Sequence, residues 1–314
     1  MNVCMVCIDA LRLDHVTPEV MPHLTKRLDS GLWYYGVKTK TPWTPSSVAA
    51  MLLGKDDAFS VGPKAMIGHP SIAGRLHGTH DTGAFIGNAT LTTEHAMWVF
   101  RDFDYVWSCA MGVVPVYRMD GVWAQFFAWR EQRTRPWFAY LHLWETHEPY
   151  QVPNDEEPPA PDCLKRWPYM KQGLFARYMD LDNAVLPVAE EAKEYLRQRY
   201  KVYCKTTDKR LRGYFEQVID DDTVLVVVSD HGDSHDDEGR WGHGSKPCFA
   251  TEATCRVLCG IIGPGIQADR IDASMLSNAE IPDLLVNSIF GNRQTNAVDQ
   301  DKVAEQLRAL GYLG

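Results

Sequence analysis

At 314 residues and 45% hydrophobic content, the chain can bury a large core, as one big α/β domain or two small ones. Its net charge of −9 argues against a nucleic-acid-binding surface as its main business. No apolar run is long enough to span a bilayer, and the chain enters a strand pattern at once with no leader, so the reading is a cytoplasmic chain without a membrane anchor. The cysteines are scattered at Cys4, Cys7, Cys109, Cys163, Cys204, Cys248, Cys255 and Cys259. Cys4 and Cys7 fall inside a strand pattern and should face opposite sides, which favours buried reduced thiols over a zinc knuckle or redox pair.

Asn2–Ile8 is a continuous apolar run, the pattern of a buried central strand, and it delivers Asp9 at its end. Met21–Asp29 has helical spacing with Pro22 at its start. Gly36–Thr41 reads as a short strand. Trp43-Thr44-Pro45-Ser46-Ser47 leads into a small-residue helix, Val48–Leu53, stopped at Gly54. Thr44 is then at or just before a helix N-terminus, either as a plain cap or at an anion-binding end. A strand is expected around Thr82–Ile86 and a helix over Gly121–Arg130. Trp137–Trp144 is another buried strand, ending in Glu145-Thr146-His147.

The Pro- and acid-rich 151–168 stretch reads as a loop or lid, Gly173–Tyr200 as an amphipathic helix holding Asp180 and Asp182, and Thr207–Val218 as further helical turns. Val224–Val228 is a second central strand, ending in Ser229-Asp230-His231-Gly232, and Gly242-His243-Gly244 follows. Arg256–Ile262 reads as a strand, and Ala279–Phe290 and Val303–Leu310 as helices. The alternation predicts an α/β fold with a mostly parallel central sheet and helices on both faces. A catalytic domain would span 1–265, with a small C-terminal helical segment, 266–314, packed on it.

Three strands thus end in ionisable residues, at Asp9, at Glu145 and His147, and at Asp230 and His231. Ligands of open α/β sheets bind beyond the carboxyl ends of strands. Asp with His suits Zn or Mn better than calcium, which prefers oxygen ligands throughout. The 224–244 stretch therefore reads as half of a metal-dependent hydrolase site. Asp233, His235, Asp236 and Asp237 read as solvated loop, Asp182 as a helix residue buttressing the site, and Arg12 with Asp14 as holding the turn after Asp9. His80 and Asn88 border a strand and could reach the cleft, but nothing singles them out.

In this order the pieces resemble the alkaline phosphatase/sulfatase superfamily, and more closely its sulfatase-like branch. Asp9-Ala10-Leu11-Arg12-Leu13-Asp14 looks like that branch's opening metal-ligand strand. Trp43–Ser47 with Gly54 is similar to its nucleophile turn. Trp144–Tyr150 looks like its D-P-H-x-P-Y element. Ser229–Gly232 and Gly242–Gly244 resemble its second ligand strand and the His beyond. Leu307–Leu313 looks like its usual terminus.

Two departures qualify the likeness. Sulfatases carry C/S-x-P-S-R, whose first residue becomes formylglycine. Here Thr44 stands in that place, formylglycine cannot be made from Thr, and no Arg follows. Ala10 stands where many sulfatases have a further acid that helps bind calcium.

The resemblance then implies a hydrolase of phosphodiesters, phosphomonoesters or phosphonate monoesters acting through a phospho-threonine. Asp9, Thr44, Asp230 and His231 would hold one divalent Zn or Mn ion. His147 and His243 would either hold a second ion with Glu145, the arrangement the reading leans to, or work without metal, His147 binding substrate oxygens and His243 protonating the leaving group. Lys246 and Arg12 are candidate contacts for the anionic substrate. The alternatives are a sulfate ester hydrolase, a phospho-group transferase, or a binding protein on an inactive scaffold.

Overall fold

The computed structural model describes residues 1–108, 119–166 and 175–290. Cys109, the predicted Val303–Leu310 helix and the Leu307–Leu313 motif lie outside the described residues. The expected apolar runs form the centre of the sheet. Strands β1 (Asn2–Ile8), β6 (Trp137–Leu143) and β7 (Thr223–Ser229) are almost wholly buried. Between β1 and β6 in sequence come β2 (Leu32–Tyr35), β3 (Val37–Lys38), β4 (Asp81–Ile86) and β5 (Tyr105–Ser108). After β7 come β8 (Ser234–Asp237), β9 (Arg240–Gly242), β10 (Arg256–Val257), β11 (Cys259–Ile262) and β12 (Asp269–Asp272).

The eight-stranded sheet has the order β12-β2-β11-β7-β1-β6-β4-β5. Strands β7, β1, β6, β4 and β5 run parallel, and β11 runs antiparallel between β7 and β2. Because side chains alternate along a strand, β1 feeds two cores. Cys4, Val6 and Ile8 pack on one face. Val3, Met5 and Cys7 pack on the other. The two cysteines are therefore buried on opposite faces, as expected, and the described cysteines are free thiols. Each fully buried Val of β7 stabilises the fold by roughly 1.5–3 kcal/mol.

Four helices matter for the site. Helix α1 (Pro22–Asp29) starts on its proline, and α2 (Thr44–Leu53) ends at Gly54, whose φ of 70° is the left-handed cap that glycine supplies. Helix α3 (Met119–Arg130) and the 29-residue α4 (Glu190–Val218) pack on the β1 face that carries Cys4.

The structure moves three boundaries. The helix expected over 173–200 begins only at Glu190. Pro187 breaks the pattern, and Asp180 to Val185 closes a tight turn through a backbone bridge. The strand expected over 256–262 splits at Leu258, so that β10 pairs with β3 while β11 joins the main sheet. The segment from 266 is not helical at its start: β12 adds to the main sheet beside β2, and helical turns return with Asn278–Glu280 and continue through Ile281–Leu285 and Val286–Phe290, where a helix was expected.

Candidate active site

The site lies where β1, β6 and β7 end, facing the N-terminus of α2. Register places the ends of β1 and β7 side by side, with Ile8 opposite Ser229. Asp9 and Asp230 therefore emerge as neighbours, both with no exposed surface. Ala10 follows in the left-handed region, at φ 56°, which strains a residue with a Cβ. That turn aims its amide at Asp230 Oδ1, 3.2 Å away, and the His231 amide donates to the same oxygen at 2.9 Å. Gly232 is needed for space rather than for φ. A Cβ there would stand 2.1 Å from the Ala253 carbonyl oxygen.

Asp9 Oδ1 and Asp230 Oδ2 are buried and have no hydrogen-bond partner among the described residues. They lie 3.6 and 3.5 Å from His231 Nε2. His231 Nδ1 donates to the Gly232 carbonyl at 2.8 Å, which leaves a lone pair on Nε2. Thr44 Oγ1 reaches that nitrogen at 3.1 Å from the first position of α2. Asp9, Asp230 and His231 bring ligand atoms within 4.8 Å of one another. Two orphaned carboxylate oxygens facing an imidazole lone pair would be costly to bury without a cation, so the donor set fits a divalent ion. Burial disfavours charge on both acids. His147, His142 and His231 nevertheless hold the Asp9 carboxyl below its usual range, whereas Asp230, facing the charge of Asp9, is pushed up.

His147 and His243 come together as expected. Their Nε2 atoms are 3.1 Å apart, and the His243 ring lies tilted against His231 with centroids 4.3 Å apart. His147 Nδ1 donates to the Glu148 carbonyl at 2.7 Å, and His243 Nδ1 to Asp233 Oδ1 at 3.0 Å. Both Nε2 atoms therefore face each other with only a proton or a cation to share. Burial pushes His147 down to about 4. Burial also opposes charge on His243, but Asp233 raises it to about 9.

Several expected site residues stand elsewhere. Glu145 has the strand parity of Leu141 and Leu143 and points to the α3/α4 side. Its Oε1 accepts from the Met119 amide at 2.6 Å and from Arg210 at 3.3 Å, away from Asp9. Arg12 is buried in a fork to Asp14 and Asp237, each with a 2.6 Å contact, and is not free to hold an anion. Lys246 is exposed and pairs with Asp182, itself an exposed turn residue rather than a helical buttress. His80 lies before β4, at the end of the sheet opposite the site.

The acidic stretch after His231 is not solvated loop. Asp233 has no exposed surface and His235 only 7%. Asp233 Oδ2 accepts from the Tyr150 hydroxyl at 2.5 Å, and that hydroxyl lies 2.9 Å from His235 Nε2. Burial works against the Asp233 charge, yet His243 and His235 hold its carboxyl well below the usual range. Asp236 and Asp237 belong to the β8/β9 hairpin, Asp236 pairing with Lys193 and Arg197. Sequence reasoning also missed His142, whose Nε2 lies 3.1 Å from Asp9 Oδ2, and understated Asn88, which donates to the same oxygen. Polar residues at strand and post-strand positions inside apolar runs were the available signal.

The doubly wound sheet with an Asp–Asp–His–Thr cluster at its carboxyl edge defines an enzyme scaffold of the alkaline phosphatase/sulfatase type. The chain belongs to the sulfatase family, whose model matches residues 2–287. Solved structures share the fold at low identity. Phosphonate monoester hydrolase of Agrobacterium radiobacter is 16% identical over 91% of this chain and 73% of its own, with a TM-score of 0.66. Lipoteichoic acid synthase from Listeria monocytogenes is 13% identical over 96% and 75%, with a TM-score of 0.65. The C-terminal periplasmic domain of a Campylobacter jejuni phosphoethanolamine transferase is 14% identical over 96% and 93%, with a TM-score of 0.63. No protein of curated function matches the sequence. Among the described residues, no helix is long and apolar enough to cross a membrane.

Proposed function

We propose that the chain is a metal-dependent hydrolase of small phosphate or phosphonate esters, with Thr44 as nucleophile. The observation that carries this is the Thr44 hydroxyl, 3.1 Å from His231 Nε2 and beside the two orphaned carboxylate oxygens. A Zn- or Mn-type ion on Asp9, Asp230, His231 and Thr44 would lower the pKa of that hydroxyl and offset charge on the ester oxygens.

Thr44 Oγ1, its lowered pKa letting the hydroxyl proton pass to solvent, then attacks phosphorus in line, forming one P–O bond while the bond to the leaving group breaks. His243, backed by the Asp233 carboxylate, gives its Nε2 proton to the departing oxygen, and His147 accepts hydrogen bonds or orients the ester beside it. The N-terminus of α2 faces the anion. In the second half water gives a proton to the now neutral His243 Nε2 and attacks phosphorus, the P–Oγ1 bond breaks, and Thr44 Oγ1 regains a proton from solvent. Threonine in the place of a formylglycine precursor favours phosphorus over sulfate esters.

We favour one ion. The groups of three ligands that the described residues bring within 4.8 Å are Asp9/Asp230/His231 and Cys7/His142/Asp230, and neither includes His147 or His243. The reading with a second ion rests on the two facing Nε2 lone pairs. A phospho-group transferase would use the same first half and pass the group to an alcohol instead of water. The free thiols suit a reducing, cytoplasmic location. The test is a panel of nitrophenyl phosphomonoesters, phosphodiesters, phosphonates and sulfates against elemental metal content. Turnover of phosphorus esters with one bound ion per chain supports the proposal, and turnover of sulfates alone, with calcium, overturns it.

A further inference from the structure

His142 has no part in the reaction just described, yet it is fully buried, in a strand whose other residues are mostly apolar. Period-two alternation puts Tyr140 and His142 on the same face of β6. Register sets His142 opposite Cys7, two residues before Asp9, and the Asp9 amide closes the ladder on the Leu143 carbonyl at 3.0 Å. Its ring is held at both ends. Nδ1 lies 2.8 Å from the Tyr140 hydroxyl, and Nε2 lies 3.1 Å from Asp9 Oδ2.

Asp9 Oδ2 is an acceptor, so Nε2 carries the hydrogen. Nδ1 then has a lone pair, which the Tyr140 hydroxyl fills as donor. This assignment satisfies every polar atom of the chain Tyr140–His142–Asp9 Oδ2. Asn88 supplies a second donor to Oδ2. Oδ1 of the same carboxylate has no partner. The two oxygens of Asp9 are thus divided, one held by protein donors and one left bare toward Asp230 and His231.

We propose that His142 is a positioning residue for Asp9: it holds Oδ2 so that Oδ1 alone is offered to a cation, and the Tyr140 hydroxyl fixes the tautomer that allows it. The inference rests on the cation site proposed above. A competing arrangement is present, because Cys7, His142 and Asp230 also bring ligand atoms within 4.8 Å of one another. It would need a lone pair on His142, and both ring nitrogens are already engaged. Partners of this kind orient a ligand and raise its basicity, and their loss costs about 10–100-fold in metal affinity.

The test measures cobalt and zinc dissociation constants by chelator competition for wild type, His142→Ala, His142→Gln and Tyr140→Phe, with thermal unfolding of the metal-free proteins as the folding control. His142→Ala should weaken binding about 10–100-fold. His142→Gln, which keeps an N–H donor, should recover part of the loss. Tyr140→Phe should weaken binding severalfold without removing any group that touches Asp9, an effect a purely structural role would not move at equal metal-free stability. Should His142→Ala not fold, the Gln and Phe variants decide. Wild-type affinity in the folded variants overturns the proposal. So does a sulfur-to-cobalt charge-transfer band that Cys7→Ser abolishes, which would make Cys7 and His142 ligands themselves. A wild-type protein that binds neither ion fails at the cation site itself, and this inference falls with it.

Discussion

Glu148 offers a quantitative test of the electrostatics behind His243. The residue is half-buried as a whole, but its Oε2 is enclosed and has no hydrogen-bond partner among the described residues. Burial and the nearby Asp233 charge push its carboxyl up to about 8 from an ordinary 4.5. Between those values the unfolded chain has released the proton and the folded chain has kept it. Stability therefore falls as pH rises through that window and levels off above about 8. The displacement is about 3.5 pH units at about 1.4 kcal/mol each, which sets a ceiling on the order of 5 kcal/mol. Solvent reaching the open part of the residue should leave about half of that.

A Glu148→Gln variant keeps an acceptor for the Phe175 amide and removes the titration. Denaturant unfolding of metal-free wild type and variant, at pH 5 and pH 8.5, gives the comparison. The variant should gain about 2–3 kcal/mol on wild type between the two pH values. A difference that stays constant across that range would refute the claim that Glu148 is neutral in the fold, and with it the picture of a crowded acidic pocket behind His243.

Other outcomes follow from the same geometry. Thr44→Ala should lower turnover of a nitrophenyl phosphodiester by at least about 10³-fold while shifting unfolding by no more than about 1.5 kcal/mol, the worth of one hydrogen bond. Asp230→Ala should lose its ion on gel filtration, as read by elemental analysis, because it removes one of the two bare oxygens. Arg12→Ala should destabilise by about 3 kcal/mol, since it strands Asp237 and the Asp233 carbonyl, yet leave KM unchanged. A raised KM at unchanged stability would return Arg12 to the role of substrate contact.

The strand-end logic made the centre of the site legible. Apolar runs bounded by turn residues announced β1, β6 and β7, and Asp9, Asp230 and His231 follow directly from where such runs stop. The small-residue helix ending at Gly54 placed Thr44 at a helix N-terminus, but only the resemblance to the sulfatase-like branch singled it out as a nucleophile. Glu145 misled because being near a strand end does not decide which face a side chain takes. Its odd parity with Leu141 and Leu143 sends it to Arg210. Asp233 and His235 misled for the opposite reason. Local composition there is that of a solvated loop, and long-range contacts turn the hairpin inward, with Tyr150, 83 and 85 residues away, and with Arg12. Lys246 and Arg12 show the same limit, since their partners Asp182 and Asp237 are distant in sequence.

The proposed nucleophile, Thr44, depends on more than its own helix. Adjacent parallel strands lie about 4.8 Å apart, so ligands delivered by β1 and β7 are spaced by the sheet itself. Thr44 comes from outside the sheet and needs a separate anchor. Ser47, one turn along α2, supplies it: its hydroxyl donates to the Asp230 carbonyl at 2.5 Å. Asn278 then donates to Ser47 Oγ at 2.8 Å and to the Ser47 carbonyl at 3.2 Å. Asn278 belongs to the segment that sequence reasoning set apart as a C-terminal extension. That segment is fastened by β12 at the sheet edge and by a capping box at Ser277 and Glu280. The stretch from 266 to 290 is therefore joined to the main sheet and to α2, and the distance from Thr44 to His231 is held through Ser47 by a residue some 230 positions away.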